Sequence, residues 1–171
     1  MDFSSLQDYV FSHRLIDSVL HGLTHWKQVE RNGLLLASKT GADIIVVRLF
    51  ALFHDCKRAS DGYDEKHGVQ GADFAQVCYN EHRLDITRGQ FEKLYHACKF
   101  HTSEHRSNDA TISTCYDADR LDLGRVGIQL DPNRMATSFG ATIARKSLEA
   151  GIKPEEMRKW LEDNFERDES K

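Results

Sequence analysis

The sequence lacks the features that mark membrane-spanning, exported and disulfide-rich proteins. No apolar run approaches the ~20 residues that a membrane-spanning helix needs, and the opening MDFSSLQDYVFSHRL has no basic stretch followed by an apolar one. The four cysteines form no Cys-x-x-Cys pair, which argues against a disulfide framework and against a zinc knuckle. We therefore expect a soluble, cytoplasmic protein with reduced thiols.

The chain also has little proline and no excess of positive charge. The chain has only two prolines, and no repeat, low-complexity tract or long linker interrupts it. We therefore expect one domain over residues 1–171. The 23 Lys and Arg residues are balanced by 27 Asp and Glu, which gives a formal net charge of −4. This balance provides no general attraction to nucleic acid or to an anionic membrane, so we expect neither as a partner.

Apolar residues recur at helical spacing almost throughout, and no β-hairpin signal stands out. These patterns predict an all-α fold. The segment from Asp43 to Asp55 begins with β-branched residues, but its apolar run is too long for a strand, so we predict a buried central helix capped by Asp43. Near the end of the chain, Pro154 and the apolar residues that follow it predict a docking helix over about 154–166.

Histidine is unusually frequent, with nine in the chain. His54 and Asp55 end the predicted central helix, where burying two ionisable side chains is costly unless a group such as a divalent cation compensates their polar atoms. His25, after a possible helix cap at Thr24, and Asp119 are further candidates, although each also has an ordinary structural interpretation. Two imidazoles and two carboxylates suit Mn²⁺, Fe²⁺, Zn²⁺, Co²⁺ or Ni²⁺ and leave coordination positions open.

The order of these residues resembles the metal-binding signature of the HD-domain superfamily of metal-dependent phosphohydrolases. The surrounding strings HGLTHWKQVERNGLLLA, RLFALFHDCKRASDGYDEKHG and CYDADRLDLGRVGI are similar to a bacterial branch of that superfamily, and the likeness spans about residues 21–140. The resemblance implies a helical HD-domain fold. It also implies one divalent transition metal, held by His25, His54, Asp55 and Asp119.

The resemblance also ranks the neighbouring polar residues. Asp119 is preferred to Asp117 because the ligand in the superfamily usually precedes a basic or polar residue, an apolar residue and a second acid. His67 and His101 occupy the interval in which some members carry extra ligands for a second metal. We favour one ion, with these two histidines as phosphate donors or proton carriers. The alternative interpretation is a capped helix start at His67 and a solvated loop at His101.

Two residues after the His-Asp pair are candidates for handling phosphate. Arg58 lies three residues beyond Asp55, and its guanidinium fork can hold two phosphate oxygens. A cation that simply ends a helix is the alternative. Asp61 is a candidate for orienting Arg58 or a water, although turn chemistry explains it nearly as well.

Together with these residues, the resemblance implies a metal-dependent phosphohydrolase acting on a phosphomonoester or phosphoanhydride. The expected partner is a small phosphorylated substrate, a nucleotide or related metabolite. One alternative is a non-catalytic nucleotide-binding sensor that keeps the metal site, and another is a dimetal oxygenase that uses His67 and His101. Retention of four ligands together with Arg58 favours the enzyme. The exact substrate, the identity of the metal and the oligomeric state stay open.

Overall fold

Helices account for all the regular structure in the computed structural model, which describes residues 1–166. In chain order they are α1 (Phe3–Ser12), α2 (Leu23–Thr40), α3 (Ile44–Phe53), α4 (His67–Asn80), α5 (Arg88–Phe100), α6 (Ala110–Arg120), α7 (Ser138–Glu149) and α8 (Met157–Leu161). The all-α prediction is confirmed. None of the helices within these residues is long and apolar enough to cross a membrane. The four cysteines are buried and unpaired.

Helix α3 lies at the centre of the fold because it is apolar on most of its sides. Its residues from Val46 to Phe53 are buried apart from Arg48, and they pack against α2, α5 and α6. The Asp43 carboxylate caps the helix by accepting hydrogen bonds from the N–H groups of Ile45 and Val46, at 3.0 and 3.3 Å. The predicted central helix and its cap are thus confirmed. Its C-terminal end carries the His-Asp pair into the interior.

Helices α2 and α6 approach each other and α3 closely at Gly33. A Cβ atom at this position would lie 2.4 Å from Cγ1 of Val47 and 3.4 Å from Cβ of Ala118. Only a residue without a side chain allows this spacing. The close approach brings His25 on α2 and Asp119 on α6 towards the same end of α3.

The start of α2 differs from the prediction. The helix begins at Leu23 with Gly22 in the cap position, so the expected cap at Thr24 is wrong and Thr24 lies in the first turn. A Cβ at Gly22 would lie 2.2 Å from the carbonyl oxygen of Ser18, and this close contact explains the glycine.

The C-terminal segment also differs in detail from the single helix predicted over 154–166. Pro154 opens a short 3₁₀ turn, α8 follows as an α-helix, and Glu162–Glu166 adopt a π-helical turn. Met157 and Leu161, four residues apart, are both buried and hold α8 against the rest of the protein. Packing therefore holds α8 as an α-helix, with the tighter 3₁₀ turn before it and the wider π-helical turn after it.

Candidate metal centre

Two fully buried imidazoles face each other at the end of α3. The Nε2 atoms of His25 and His54 are 3.1 Å apart. His25 Nδ1 donates to a carboxylate oxygen of Asp122 at 2.7 Å, and His54 Nδ1 donates to the carbonyl of Phe50 at 3.1 Å. Because these acceptors carry no proton, each ring has a hydrogen on Nδ1, and in the neutral rings both Nε2 lone pairs point into the same space. Two opposed lone pairs at this distance are stabilised by a shared cation.

Two carboxylates enclose the same space. Asp55 Oδ2 lies 3.5 Å from Nε2 of His25 and 3.7 Å from Nε2 of His54, and the corresponding distances for Asp119 Oδ1 are 3.4 and 3.9 Å. Around one ion with metal–ligand bonds of about 2.0–2.2 Å, neighbouring ligand atoms lie about 2.8–3.6 Å apart. His25, His54 and Asp119 thus form a group whose ligand atoms all lie within 4.8 Å of one another. Asp55 Oδ2 adjoins the two imidazoles of this group, so the structure brings the four predicted ligand residues to one place.

The charges of this cluster also favour a cation. Burial disfavours the charged form of His25, but hydrogen bonds to Asp119, Asp122 and Asp55 outweigh it and raise the pKa of His25 to about 10. Burial dominates at His54 and lowers its pKa to about 3, despite the attraction of Asp55 and Asp119. Burial disfavours the Asp119 carboxylate, but the hydrogen bond to His25 and the charge of His54 together hold the pKa of Asp119 below its ordinary value. The cluster thus stabilises one positive charge, which a proton or a metal ion supplies.

A second histidine pair adjoins the other oxygen of Asp55. The Nε2 atoms of His67 and His101 are 3.1 Å apart and lie 3.4 and 4.0 Å from Asp55 Oδ1. Their Nδ1 atoms donate to the backbone carbonyls of Asp64 and Cys98, so these two Nε2 lone pairs also face each other. Both rings are buried, which rules out the solvated loop considered for His101. With Asp55, the pair offers a second group of three ligand atoms.

Arg58 lies at the edge of this second group. Its Nη1 atom is 3.4 Å from Asp55 Oδ1 and 3.3 Å from His67 Nε2. Nη2 donates to the carbonyl of Gly62 at 2.8 Å, and Nε donates to that of Ser60 at 3.2 Å. Four of the five N–H groups thus have protein acceptors. The fork expected to hold two phosphate oxygens instead holds the loop after α3, and one N–H is left for a ligand.

The expectation that Asp61 orients Arg58 or a water is corrected by the structure. Asp61 is exposed, and its carboxylate accepts a hydrogen bond from the hydroxyl of Ser18, outside the metal cluster. The neighbouring acid Asp64 instead accepts from the N–H of Ala59 at 2.7 Å with its carboxylate. Asp61 therefore ties two surface loops together.

Asp117 has a different task from Asp119. It is buried and accepts hydrogen bonds from the backbone N–H groups of Ala136 at 2.7 Å and Thr137 at 2.8 Å. Its carboxylate thus anchors the segment before α7, whereas Asp119 Oδ1 faces His25. This geometry agrees with the choice of Asp119 as the candidate ligand.

His21 also adjoins the centre, although its sequence context alone does not predict it as a ligand. His21 Nδ1 lies 3.0 Å from Asp55 Oδ2, and His21, His25 and Asp55 form a further group of possible ligands. The four-residue spacing of His21 and His25 was the available signal. Because His21 precedes the first residue of α2, helical periodicity could not place it on the same face.

A cavity of about 690 Å³ opens beside the cluster, with Asp119 and His101 on its wall. This volume lies within the range of about 300–1,000 Å³ that is usual for small-molecule sites. The lining includes four apolar residues, Leu123, Ile128, Leu130 and Met135. The other lining residues are polar or charged, so the cavity places a mixed surface, with one apolar part, next to the candidate metal ligands.

Arg120 ties the two walls of this cavity together. Its guanidinium donates to the backbone carbonyls of Glu104 at 2.9 Å, His105 at 2.8 Å and Arg134 at 3.0 Å. The first two belong to the segment after α5, and the third to the segment before α7. One side chain adjacent to Asp119 thus sets the width of the cavity.

The fold is shared with a solved structure, the crystal structure of a predicted HD superfamily hydrolase from an uncultured Thermotogales bacterium. The two chains superpose with a TM-score of 0.67 at 23% sequence identity, over 95% of this chain and 91% of the other. No protein-family model matches the sequence, and no curated protein matches it. An identity of this size shows the fold alone. The HD-domain fold implied by the sequence resemblance is therefore confirmed.

Proposed function

We propose that this protein is a metal-dependent phosphohydrolase acting on a phosphomonoester or phosphoanhydride of a nucleotide or small phosphorylated metabolite. The observation that carries the proposal is the pair of opposed Nε2 lone pairs of His25 and His54, enclosed by Asp55 and Asp119. This nitrogen and oxygen set suits Mn²⁺, Fe²⁺, Zn²⁺, Co²⁺ or Ni²⁺. Such an ion polarises a phosphoryl oxygen and lowers the pKa of a bound water.

We place one ion between His25 and His54. The second histidine pair faces a positive charge already, because Arg58 Nη1 lies 3.3 Å from His67 Nε2 and 3.4 Å from Asp55 Oδ1. A second cation at the same atoms would be repelled by this guanidinium in a site of low dielectric constant. The dimetal alternative therefore requires Arg58 to move away.

The residues around the ion position account for the rest of the reaction. The remaining N–H of Arg58 and its charge neutralise the phosphoryl group. His101 lines the cavity. Its Nε2 atom would take the proton that the attacking water loses and pass it to the leaving-group oxygen as the bond from phosphorus to that oxygen breaks. His67 accepts from Arg58 and keeps the guanidinium in place. The apolar wall of the cavity receives the rest of the substrate.

The second histidine pair specifically favours one other candidate function, a dimetal oxygenase. His67, His101 and Asp55 form a group of three ligand atoms, as such a centre requires. The two functions differ in metal content, because the oxygenase needs two ions per chain. They also differ in product, because only the hydrolase releases phosphate without consuming oxygen.

A phosphate-release screen tests the proposal. Metal-stripped protein is reloaded with each candidate ion in turn and assayed against nucleoside mono-, di- and triphosphates and sugar phosphates. We expect release with at least one ion, loss of release in Asp55→Asn and full release in the matched control Asp61→Asn, which alters an exposed acid. Metal-loaded protein that binds nucleotides but releases phosphate from none of these compounds would overturn the proposal in favour of the sensor.

A further inference from the structure

Arg158 on α8 donates two hydrogen bonds to the buried carboxylate of Asp122, next to the candidate metal centre. Its Nε atom donates to Oδ1 of Asp122 at 2.6 Å, and Nη2 donates to Oδ2 at 2.8 Å. The Asp122 side chain is fully buried, whereas that of Arg158 is 37% exposed. A two-point contact of this kind sets both the position and the plane of the carboxylate.

Asp122, oriented in this way, in turn orients the ring of His25. The same Oδ2 atom accepts the Nδ1 hydrogen of His25 at 2.7 Å. A carboxylate bound to one ring nitrogen fixes the tautomer and the direction of the other nitrogen. It therefore points Nε2 of His25 at His54, across the proposed ion position.

The other arginine near Asp122 does not replace this contact. Arg125 Nη1 donates to the backbone carbonyl of Asp122 at 3.1 Å and lies 3.8 Å from its carboxylate, while Nε donates to the carbonyl of Leu20 at 3.0 Å. Arg125 thus closes a turn and holds a loop, and it also lies 3.3 Å from Nδ1 of His21 and 3.9 Å from Oδ1 of Asp119. Arg158 is the group that fixes the orientation of the carboxylate.

We propose that Arg158 is a positioning residue of the metal centre, acting through Asp122 on His25. The inference rests on the proposed function, because it requires that the centre binds a metal. Arg158 lies between two residues that dock α8, Met157 and Leu161, so the C-terminal segment contributes directly to metal affinity. This gives the segment a role in the site although it lies outside the residues that resemble the HD signature.

Metal affinity tests the inference without any assay of turnover. The dissociation constant for Zn²⁺ is measured on the metal-stripped full chain by competition with a chromogenic chelator. Residues that orient a metal ligand typically change the affinity about 10–100-fold when substituted, so we expect a loss of this size in Arg158→Gln. Arg158→Lys should recover part of the affinity because it keeps the charge but loses the fork. The matched control is Lys159→Gln, the exposed next residue of α8.

A double-mutant cycle separates positioning from a merely structural role. We expect Arg158→Gln to have little further effect in an Asp122→Asn background, because the two residues act in one chain of contacts. An equal loss in both backgrounds would overturn the inference. If Arg158→Gln does not fold, Arg158→Lys and Asp122→Asn carry the test, and wild-type affinity in both would overturn it.

The two proposals fail in different ways. Wild-type protein that binds no Zn²⁺ or other candidate ion would overturn the proposed function, and this inference with it. If wild type binds the ion and Arg158→Gln binds it equally tightly, the inference about Arg158 is overturned and the proposed function is not.

Discussion

Arg58 Nη1 lies 3.4 Å from Oδ1 of Asp55, while the other oxygen of the same carboxylate lies 3.5 Å from Nε2 of His25. One buried carboxylate is therefore shared between an arginine and the proposed ion position. The arrangement assigns the two sides of Asp55 to separate tasks. In the proposed function, one side would bind the metal, and the other would hold a positive charge for the substrate phosphate.

Replacing Arg58 is expected to impair catalysis while the ion stays bound. In Arg58→Ala we expect kcat/KM for phosphate release to fall about 100-fold, the usual effect of removing one donor that stabilises the transition state. Arg58→Lys should recover little, because a point charge cannot hold the loop carbonyls. Metal content measured on the same samples should not fall below the wild-type value. Unchanged kcat/KM in Arg58→Ala, with the exposed Lys66→Ala as control, would reduce Arg58 to a loop anchor.

The buried Asp117 is expected to be essential for stability. Its carboxylate accepts from two backbone N–H groups and from the hydroxyl of Thr137, and it lies 3.4 Å from Arg120 Nη1. Asp117→Ala leaves the two N–H groups and the Thr137 hydroxyl without their acceptor and removes the carboxylate that faces Arg120, which costs about 3–5 kcal/mol of unfolding free energy. Urea unfolding measures this loss. The exposed Asp8→Ala should change the free energy by less than about 0.5 kcal/mol, and an equally small change in Asp117→Ala would contradict the assigned role.

Two glycines in helices should respond in opposite directions to alanine. At Gly33 the new Cβ meets buried Val47 at 2.4 Å, so overpacking of about 1–3 kcal/mol exceeds the helix-propensity gain of up to about 1 kcal/mol. At Gly89, in the first turn of α5, no atom lies within 4 Å, and only the gain applies. Thermal unfolding should show a lower Tm for Gly33→Ala and an equal or higher Tm for Gly89→Ala. A higher Tm for Gly33→Ala would show that α2 and α3 can separate without cost.

The pH dependence of stability should reveal the contact between Tyr116 and Glu104. The hydrogen bond from Tyr116, followed by that from His96, lowers the pKa of Glu104 below its ordinary 4.5. A lowered folded-state pKa gives stability that is present above pH 4.5 and is lost as the pH falls through the folded value. Because Glu104 is partly exposed, Tyr116→Phe should cost only about 1 kcal/mol at pH 7.

Urea unfolding at pH values from neutral to acidic tests this prediction. The difference between wild type and Tyr116→Phe should shrink below pH 4.5, where Glu104 begins to gain its proton in the unfolded chain. Tyr63→Phe, at a highly exposed tyrosine, should show no such trend. A difference for Tyr116→Phe that persists unchanged in acid would mean that the hydroxyl stabilises the fold through another contact.

The sequence was informative where one helix carried the signal. The apolar run before His54 and the cap at Asp43 predicted a buried helix with a polar end, and burial at that end requires compensating partners. The identity of those partners came from resemblance, because His25 and Asp119 are far apart in the chain. Their meeting depends on the close packing at Gly33, and no periodicity in the sequence shows such a contact.

The sequence did not predict loop geometry or the ion pairs between distant elements. Asp61 and Arg58 lie in one short segment, yet Asp61 turns to Ser18 and Arg58 turns inward to Asp55. The backbone path of the turn decides in which direction each side chain points, and residue types alone do not specify that path. The contact between Arg158 and Asp122 joins residues 36 positions apart, and such pairs leave no periodic pattern.

Anomalous X-ray scattering from crystals of the metal-loaded protein shows directly whether His25 and His54 hold a single ion. We expect one strong peak per chain, within about 2.0–2.3 Å of Nε2 of His25 and His54 and of carboxylate oxygens of Asp55 and Asp119. The peak should vanish in His54→Ala. A peak elsewhere, no peak at all, or two peaks about 3.5–4 Å apart that share Asp55 would contradict the one-ion site.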